Sequence, residues 1–177
     1  NVIPDLAYSW TISRDGLTYT FELTPGARFH NGREVTAPDF VWSFERLFRP
    51  EIPPGIIQDY LIKIDGVAEF ASGESPAIRG ITALGPHTLR IQLHSPYPSF
   101  LSVLCMDQAK VLDQTVLADA PGGLVPVGTG TFQLAEWIPE RHVILVRNPG
   151  YFGNPAKLDS VVVLHYPQEG QVAATLE

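Results

Sequence analysis

The 177 residues include 45% hydrophobic and 18% charged side chains, enough apolar content to bury one core or two small ones. A net charge of −7, from 19 acidic and 12 scattered basic residues, argues against nucleic-acid binding, which needs clustered Lys and Arg against phosphate. The single cysteine, Cys105, excludes an intrachain disulfide, and no apolar run approaches the length of a membrane span.

Leu6, Tyr8, Trp10 and Ile12 alternate with Ala7, Ser9 and Thr11, and Leu17, Tyr19, Phe21 and Leu23 alternate with Thr18, Thr20 and Glu22. A period of two predicts strands, and Asp15-Gly16 between them supplies the positive φ of a tight turn. An antiparallel hairpin with an aromatic inner face is therefore predicted over residues 6–23. Pro25-Gly26 and Asn31-Gly32 then break the ladder. "TAPD" opens a helix predicted over residues 37–48, with Thr36 as N-cap and Asp39 at N3 against the free N–H groups. Phe40, Val41, Phe44, Leu47 and Phe48 form its apolar face.

Beyond the proline-rich break at 50–54, "GIIQDYLIKIDGVAEFASGE" resumes helical character with a weaker period. A second hairpin is predicted over residues 81–93, with Leu89, Ile91 and Leu93 inward. "SPYPSFLSVL" reads as a short helix with Pro98 near N1. Residues 109–126 read as loop and short helix. "TFQLAEWIPERHVILVRN" and "LDSVVVLHY" read as strands, joined by the loop "PGYFGNPAK", and the last residues begin a helix. The pattern predicts an α+β fold of antiparallel hairpins and a mixed sheet with packed helices. The chain opens without Met or a leader-like segment, and it closes on a helical pattern with no stop residue. A piece of a longer protein is expected.

Chemistry-bearing residues are sparse. His30, His87, His94, His142 and His165 show no metal-ligand spacing, so no metal and no cofactor are expected. Cys105 in "FLSVLC" is expected in the core, with no histidine near it in sequence to activate it. "GTG" at 128–130 lacks the strand–GxGxxG–helix context of a phosphate loop. Asp59, Asp65, Glu69 and Glu74 read as solvated charges, and Trp10, Trp42 and Trp137 as core aromatics. No catalytic residue is identified, and an enzyme is not expected.

Three blocks carry a resemblance to a known family. "LAYSWTISRDGLTYTFELTPGARFHNGREVTAPDFVWSFERL" is similar to the signature region of the extracytoplasmic oligopeptide-, dipeptide- and nickel-binding proteins of ABC transporters, solute-binding family 5. "GPHTLRIQLHSPYPSFLSVL" and "PVGTGTFQLAEWIPERHVILVRNPGYFGNPAKLDSVVVL" resemble two further blocks of that family, in family order. Departures fall at turns: "FHNG" stands for the family's FHDG, "LTPG" for LRxG and "NPGYF" for NPxYW.

The resemblance implies part of lobe one of a type II (class C) periplasmic-binding-protein fold. Residues 1–126 would form its small subdomain and 127–177 the start of the larger one, with the second lobe absent. It implies the substrate-binding component of an ABC importer, a monomer that captures peptides outside the cytoplasmic membrane and delivers them to permease subunits. In the periplasm or on a lipoprotein anchor, such a protein grips its peptide largely as an added strand. Two alternatives stay open: a ligand-sensing domain of a transcription regulator, or the same transport role for nickel, an opine or an oligosaccharide. The implied ligand wall comprises Tyr60, which is otherwise an ordinary half-buried tyrosine, and Gly128, Thr129 and Gly130. Backbone amides of the latter three would face the cleft; alternatively they form a hinge-like turn that needs small residues.

Overall fold

The computed structural model describes residues 2–118 and 127–165. The chain divides into two compact units, Asn1–Ala27 with Glu34–Thr115, and Arg28–Arg33 with Val116–Glu177. The second unit thus takes six residues from within the first third of the chain.

In the first unit, β1 (Ala7–Ile12) and β2 (Thr18–Leu23) form the expected antiparallel hairpin. Its turn follows the local chemistry: Gly16 has φ +71°, and Asp15 Oδ1 accepts from the Ser13 hydroxyl and from Leu17 N–H at 3.0 Å. Tyr19, Phe21 and Leu23 are buried, as their alternation predicts. β1 departs from its pattern. A register shift between Ala7 and Ser9 falls at Tyr8, which is 53% exposed, and Ile12 at the end of the strand is 47% exposed, while Trp10 packs partly buried against the core. β1 is an edge strand, and a bulge there disturbs only one ladder.

β3 (Ile81–Ala83) and β4 (Thr88–Gln92) form the second predicted hairpin, and β4 also pairs with β2, giving the order β1-β2-β4-β3. Leu89, Ile91 and Leu93 are buried beneath it. Helix α1 (Ala37–Arg46) starts where predicted and ends two residues early, with Leu47 as C-cap. The Asp39 carboxylate, itself buried, accepts from Thr36 N–H at 2.8 Å and from the Thr36 hydroxyl at 2.9 Å. The weakly periodic stretch becomes two short helices, α2 (Ile56–Leu61) and α3 (Val67–Ala71). They are separated by an isolated bridge between Ile64 and Leu93. Leu61, Ile64, Val67, Ile91 and Phe100 belong to one core cluster. Each such side chain contributes about 1.5–3 kcal/mol by leaving water.

α4 (Phe100–Val103) has Ser99 as its N-cap, so Pro98 lies one residue outside the helix rather than at N1. A turn from Phe100 N–H to the Tyr97 carbonyl, at 3.0 Å, takes up that proline instead. Cys105 is exposed, contrary to expectation. Phe100 and Val103 fill the buried positions of α4, and Cys105 falls beyond its end. A 3-10 turn at Asp107–Ala109 and α5 (Gln114–Ala118) follow.

The second unit holds a three-stranded antiparallel sheet, β5 (Phe132–Ile138), β6 (His142–Arg147) and β7 (Ser160–Leu164), in that order. The loop between β6 and β7 is tied down by Arg147, which pairs with Asp159 at 2.7 Å and donates to the Lys157 and Leu158 carbonyls. Trp137, expected in the core, is 59% exposed. A register shift between Leu134 and Glu136 interrupts the alternation of β5 just before it. The α+β class stands, with both sheets antiparallel throughout the described residues. The helix expected at the C-terminal end lies outside the described residues, as does part of the 109–126 stretch. Among the described residues no helix is long and apolar enough to cross a membrane.

Candidate functional site

Residues 28–33 form a compact turn. Phe29 N–H donates to the Arg33 carbonyl and Gly32 N–H to that of Phe29, both at 2.8 Å. Gly32 takes φ +87°, a conformation an Asn-Gly pair readily supplies. Phe29 is buried with the Arg33 guanidinium 4.7 Å above its ring, and the Arg28 guanidinium donates to the Gly32 carbonyl at 2.7 Å. The turn therefore presents His30 on a braced backbone.

His30 grips the stretch 128–130 at three points. Its N–H donates to the Gly128 carbonyl at 2.8 Å, and its Nδ1 accepts from Gly128 N–H at 3.3 Å. Nε2 lies 3.1 Å from the Gly130 carbonyl. With Nδ1 accepting, the ring proton of the neutral imidazole sits on Nε2 and is donated to Gly130. Asn148, just after β6 and buried, closes the other side. Its Nδ2 donates to the same Gly130 carbonyl at 3.0 Å, its N–H to the Thr131 carbonyl at 2.8 Å, and its Oδ1 accepts from Gly150 N–H at 2.9 Å.

The Gly128 N–H and the carbonyls of Gly128 and Gly130 are thus already engaged, so Gly128 has no amide left to offer a ligand. Among the described residues, the N–H, carbonyl and hydroxyl of Thr129 and the N–H of Gly130 have no protein partner. The expected requirement for small residues is not found in the backbone. Neither glycine has positive φ, and a Cβ would stand 3.6 Å from His30 Cε1 at Gly128 and 3.7 Å from the Phe132 carbonyl at Gly130. Those are ordinary contacts.

Tyr60 lies in the first unit, half-buried at the edge of its core cluster. The structure brings Gly128, Thr129 and Gly130 together with His30 and Asn148 in the second unit, and Tyr60 belongs to a different body. Sequence reasoning misses both His30 and Asn148: it weighs His30 only as a metal ligand and reads Asn148 as the end of a strand. The only signal for them was that "FHNG", "GTG" and "RN" all fall within family-like blocks. Elsewhere, Asp65 and Glu69 are more than solvated charges. Arg79 forms a two-pronged bond with Asp65 at 2.8 and 2.9 Å and reaches Glu69 at 3.0 Å. The hydrogen bond from Arg79 holds the Asp65 carboxyl below its usual range. His87 Nε2 meets Glu34 at 3.0 Å, and His142 Nε2 stands 3.5 Å from Glu136 on the neighbouring strand. Among the described residues no group of three or more His, Cys, Asp or Glu is placed to hold a metal ion.

A family model described as "Bacterial extracellular solute-binding proteins, family 5 Middle" matches residues 1–177. The chain is 32% identical to Di/tripeptide-binding protein 4 of Pseudomonas aeruginosa, covering 91% of this chain and 32% of that protein. It is 32% identical to the Dipeptide-binding protein of Escherichia coli, with 91% and 32% covered. A solved periplasmic oligopeptide-binding protein of Borrelia burgdorferi superposes with TM-score 0.90 at 26% identity, over 98% of this chain and 36% of that one. The chain therefore spans about a third of the length of the relatives it matches.

Proposed function

We propose that this chain, which belongs to the bacterial extracellular solute-binding proteins of family 5, forms part of one ligand-binding wall in the peptide-capturing component of an ABC importer. The match of the family model to residues 1–177, alongside relatives named for di- and tripeptides, is the observation that carries this reading. On this reading the protein works outside the cytoplasmic membrane, catalyses nothing, and hands its peptide to permease subunits. Residues 1–126 supply the smaller subdomain of lobe one and 127–177 begin the larger. Tyr60 in the first unit, and Thr129 and Gly130 in the second, each supply a ligand contact on this reading.

Peptide capture needs little chemistry and much preorganisation. A peptide backbone offers carbonyl acceptors and N–H donors, and a receptor that presents rigid backbone partners reads that pattern while tolerating varied side chains. A braced turn with unengaged donors suits the task. The test is calorimetry on the full-length protein with di-, tri- and hexapeptides, beside mass spectrometry of whatever ligand co-purifies. Micromolar or tighter binding of peptides is expected. Selective binding of a nickel complex, an opine or an oligosaccharide with no response to peptides would sink the peptide assignment.

A further inference from the structure

We propose that Thr129 and Gly130 bind an acceptor oxygen of the peptide, and that His30 and Asn148 are positioning residues that aim this donor pair. The inference rests on the peptide-binding reading and narrows it to particular atoms. His30 and Asn148, from two separate stretches of sequence, converge on one turn in a third. His30 holds both polar backbone groups of Gly128, and His30 and Asn148 share the carbonyl of Gly130. Asn148 also holds Thr131, the residue after the turn.

This arrangement leaves a specific remainder. Two successive N–H donors, those of Thr129 and Gly130, and one hydroxyl stay without a protein partner among the described residues. Gly130 is exposed and Thr129 half-buried. Thr129 has both neighbours held, and Gly130 is itself held at its carbonyl and followed by the held Thr131. These residues therefore lose little freedom on binding, which is where rigid donors gain over flexible ones. An unengaged N–H takes an oxygen acceptor, either a peptide carbonyl or the terminal carboxylate. Nothing in the backbone of Gly130 demands glycine, whereas close approach of a ligand does favour a missing side chain.

The imidazole is suited to the positioning role because, when neutral, it accepts at one nitrogen and donates at the other. A glutamine carries one acceptor and donors on a similar reach, so His30→Gln should retain part of the grip that His30→Ala loses.

The experiment is amide NMR on the unmodified full-length protein, titrated with a tripeptide and with its C-terminally amidated form. The Thr129 and Gly130 amides should shift and gain protection from exchange at saturation, while the Gly128 amide, already bonded to His30, changes little. Loss of the response with the amidated peptide assigns the acceptor as the carboxylate; persistence assigns it as a backbone carbonyl. Thr129→Pro, which removes one of the two N–H donors, should weaken peptide binding about fivefold, the value of one hydrogen bond. His30→Ala should weaken it more, with His30→Gln recovering part of the loss. A residue needed only for folding would lower the melting temperature and leave the affinity of the folded protein unchanged. Binding of peptide while the Thr129 and Gly130 amides stay silent overturns this inference and leaves the transport reading intact. Failure to bind any peptide overturns both.

Discussion

A Cβ on Gly80 would stand 2.5 Å from the Asp65 carbonyl and 2.7 Å from that of Gln92, both backbone atoms. The crowding arises because Gly80 N–H donates to Asp65 and its carbonyl accepts from Gln92 N–H, stitching the α2–α3 connection to β3 and β4. Gly80→Ala should therefore cost at least about 2 kcal/mol, since the clash is with backbone that cannot swing aside. At Gly16 the obstacle differs: the site is open, with only Pro96 Cβ at 3.8 Å, but φ is +71°. Gly16→Ala should cost about 1–2 kcal/mol from conformation alone. Urea unfolding of the two variants checks both, and a Gly80→Ala protein as stable as the parent would remove the close-approach argument. Gly16 was legible because Asp15-Gly16 is a local turn signal. Gly80 carries no such signal, since its neighbours come from residues 65 and 92.

At the scale of elements, the N-terminus of α1 shows how one capping pattern divides its labour. Thr36 and Asp39 were legible as a pair from their spacing, but the buried carboxylate carries more than the threonine. Asp39 accepts from the Thr36 amide and hydroxyl, and its own carbonyl accepts from the Ser43 hydroxyl at 2.7 Å. Thr36→Ala should cost about 1 kcal/mol. Asp39→Ala should cost about 2 kcal/mol, because it leaves the part-buried Thr36 donors without that acceptor. Equal losses in thermal unfolding would contradict this ordering. The Arg79–Asp65 pair joins the residues before β3 to the α2–α3 connection and gives a pH signature. Its folded carboxyl titrates below the ordinary value of 3.8, so its contribution is present above that value and is lost as pH falls through the folded one. Asp65→Asn should melt lower than the parent near neutral pH, and the gap should close below about pH 4. Because Arg79 is 61% exposed, added salt should narrow the gap at any pH. A gap that widens with acid would contradict the assignment.

At the scale of the whole molecule, the chain spans about a third of the relatives it resembles. If its role is one wall of a two-sided binder, the chain by itself should hold peptides no more tightly than millimolar. Each hydrogen bond to an exposed wall nets only about 1 kcal/mol against water. Losing the translational freedom of the peptide costs at least about 4 kcal/mol. Closure of a second lobe excludes water and strengthens every polar contact, and one lobe alone forgoes that gain. Calorimetry with a mixed pool of tri- to hexapeptides measures it directly. Micromolar affinity for the isolated chain would place the complete site within these residues and end the two-sided reading.

The amino-acid sequence by itself determined the local units: the hairpin turn at Asp15-Gly16, the alternating face of β2, the buried triplet Leu89, Ile91 and Leu93, and the start of α1 at Thr36. Each depends on contacts between residues a few positions apart, where backbone geometry and side-chain period act directly. Only the tertiary structure decided which strands are neighbours, for β4 pairs with β2 across some seventy intervening positions, with Phe21 facing Leu89. It alone set β1 at an edge, where a bulge falls at Tyr8 and Ile12 is left exposed, and left Cys105 and Trp137 outside the core. The same holds for the candidate site. His30 meets Gly128 across 98 positions of sequence, and neither residue has a local reason to seek the other. Hydrogen bonds between distant turns depend on where the chain has already been folded, and no periodicity encodes them.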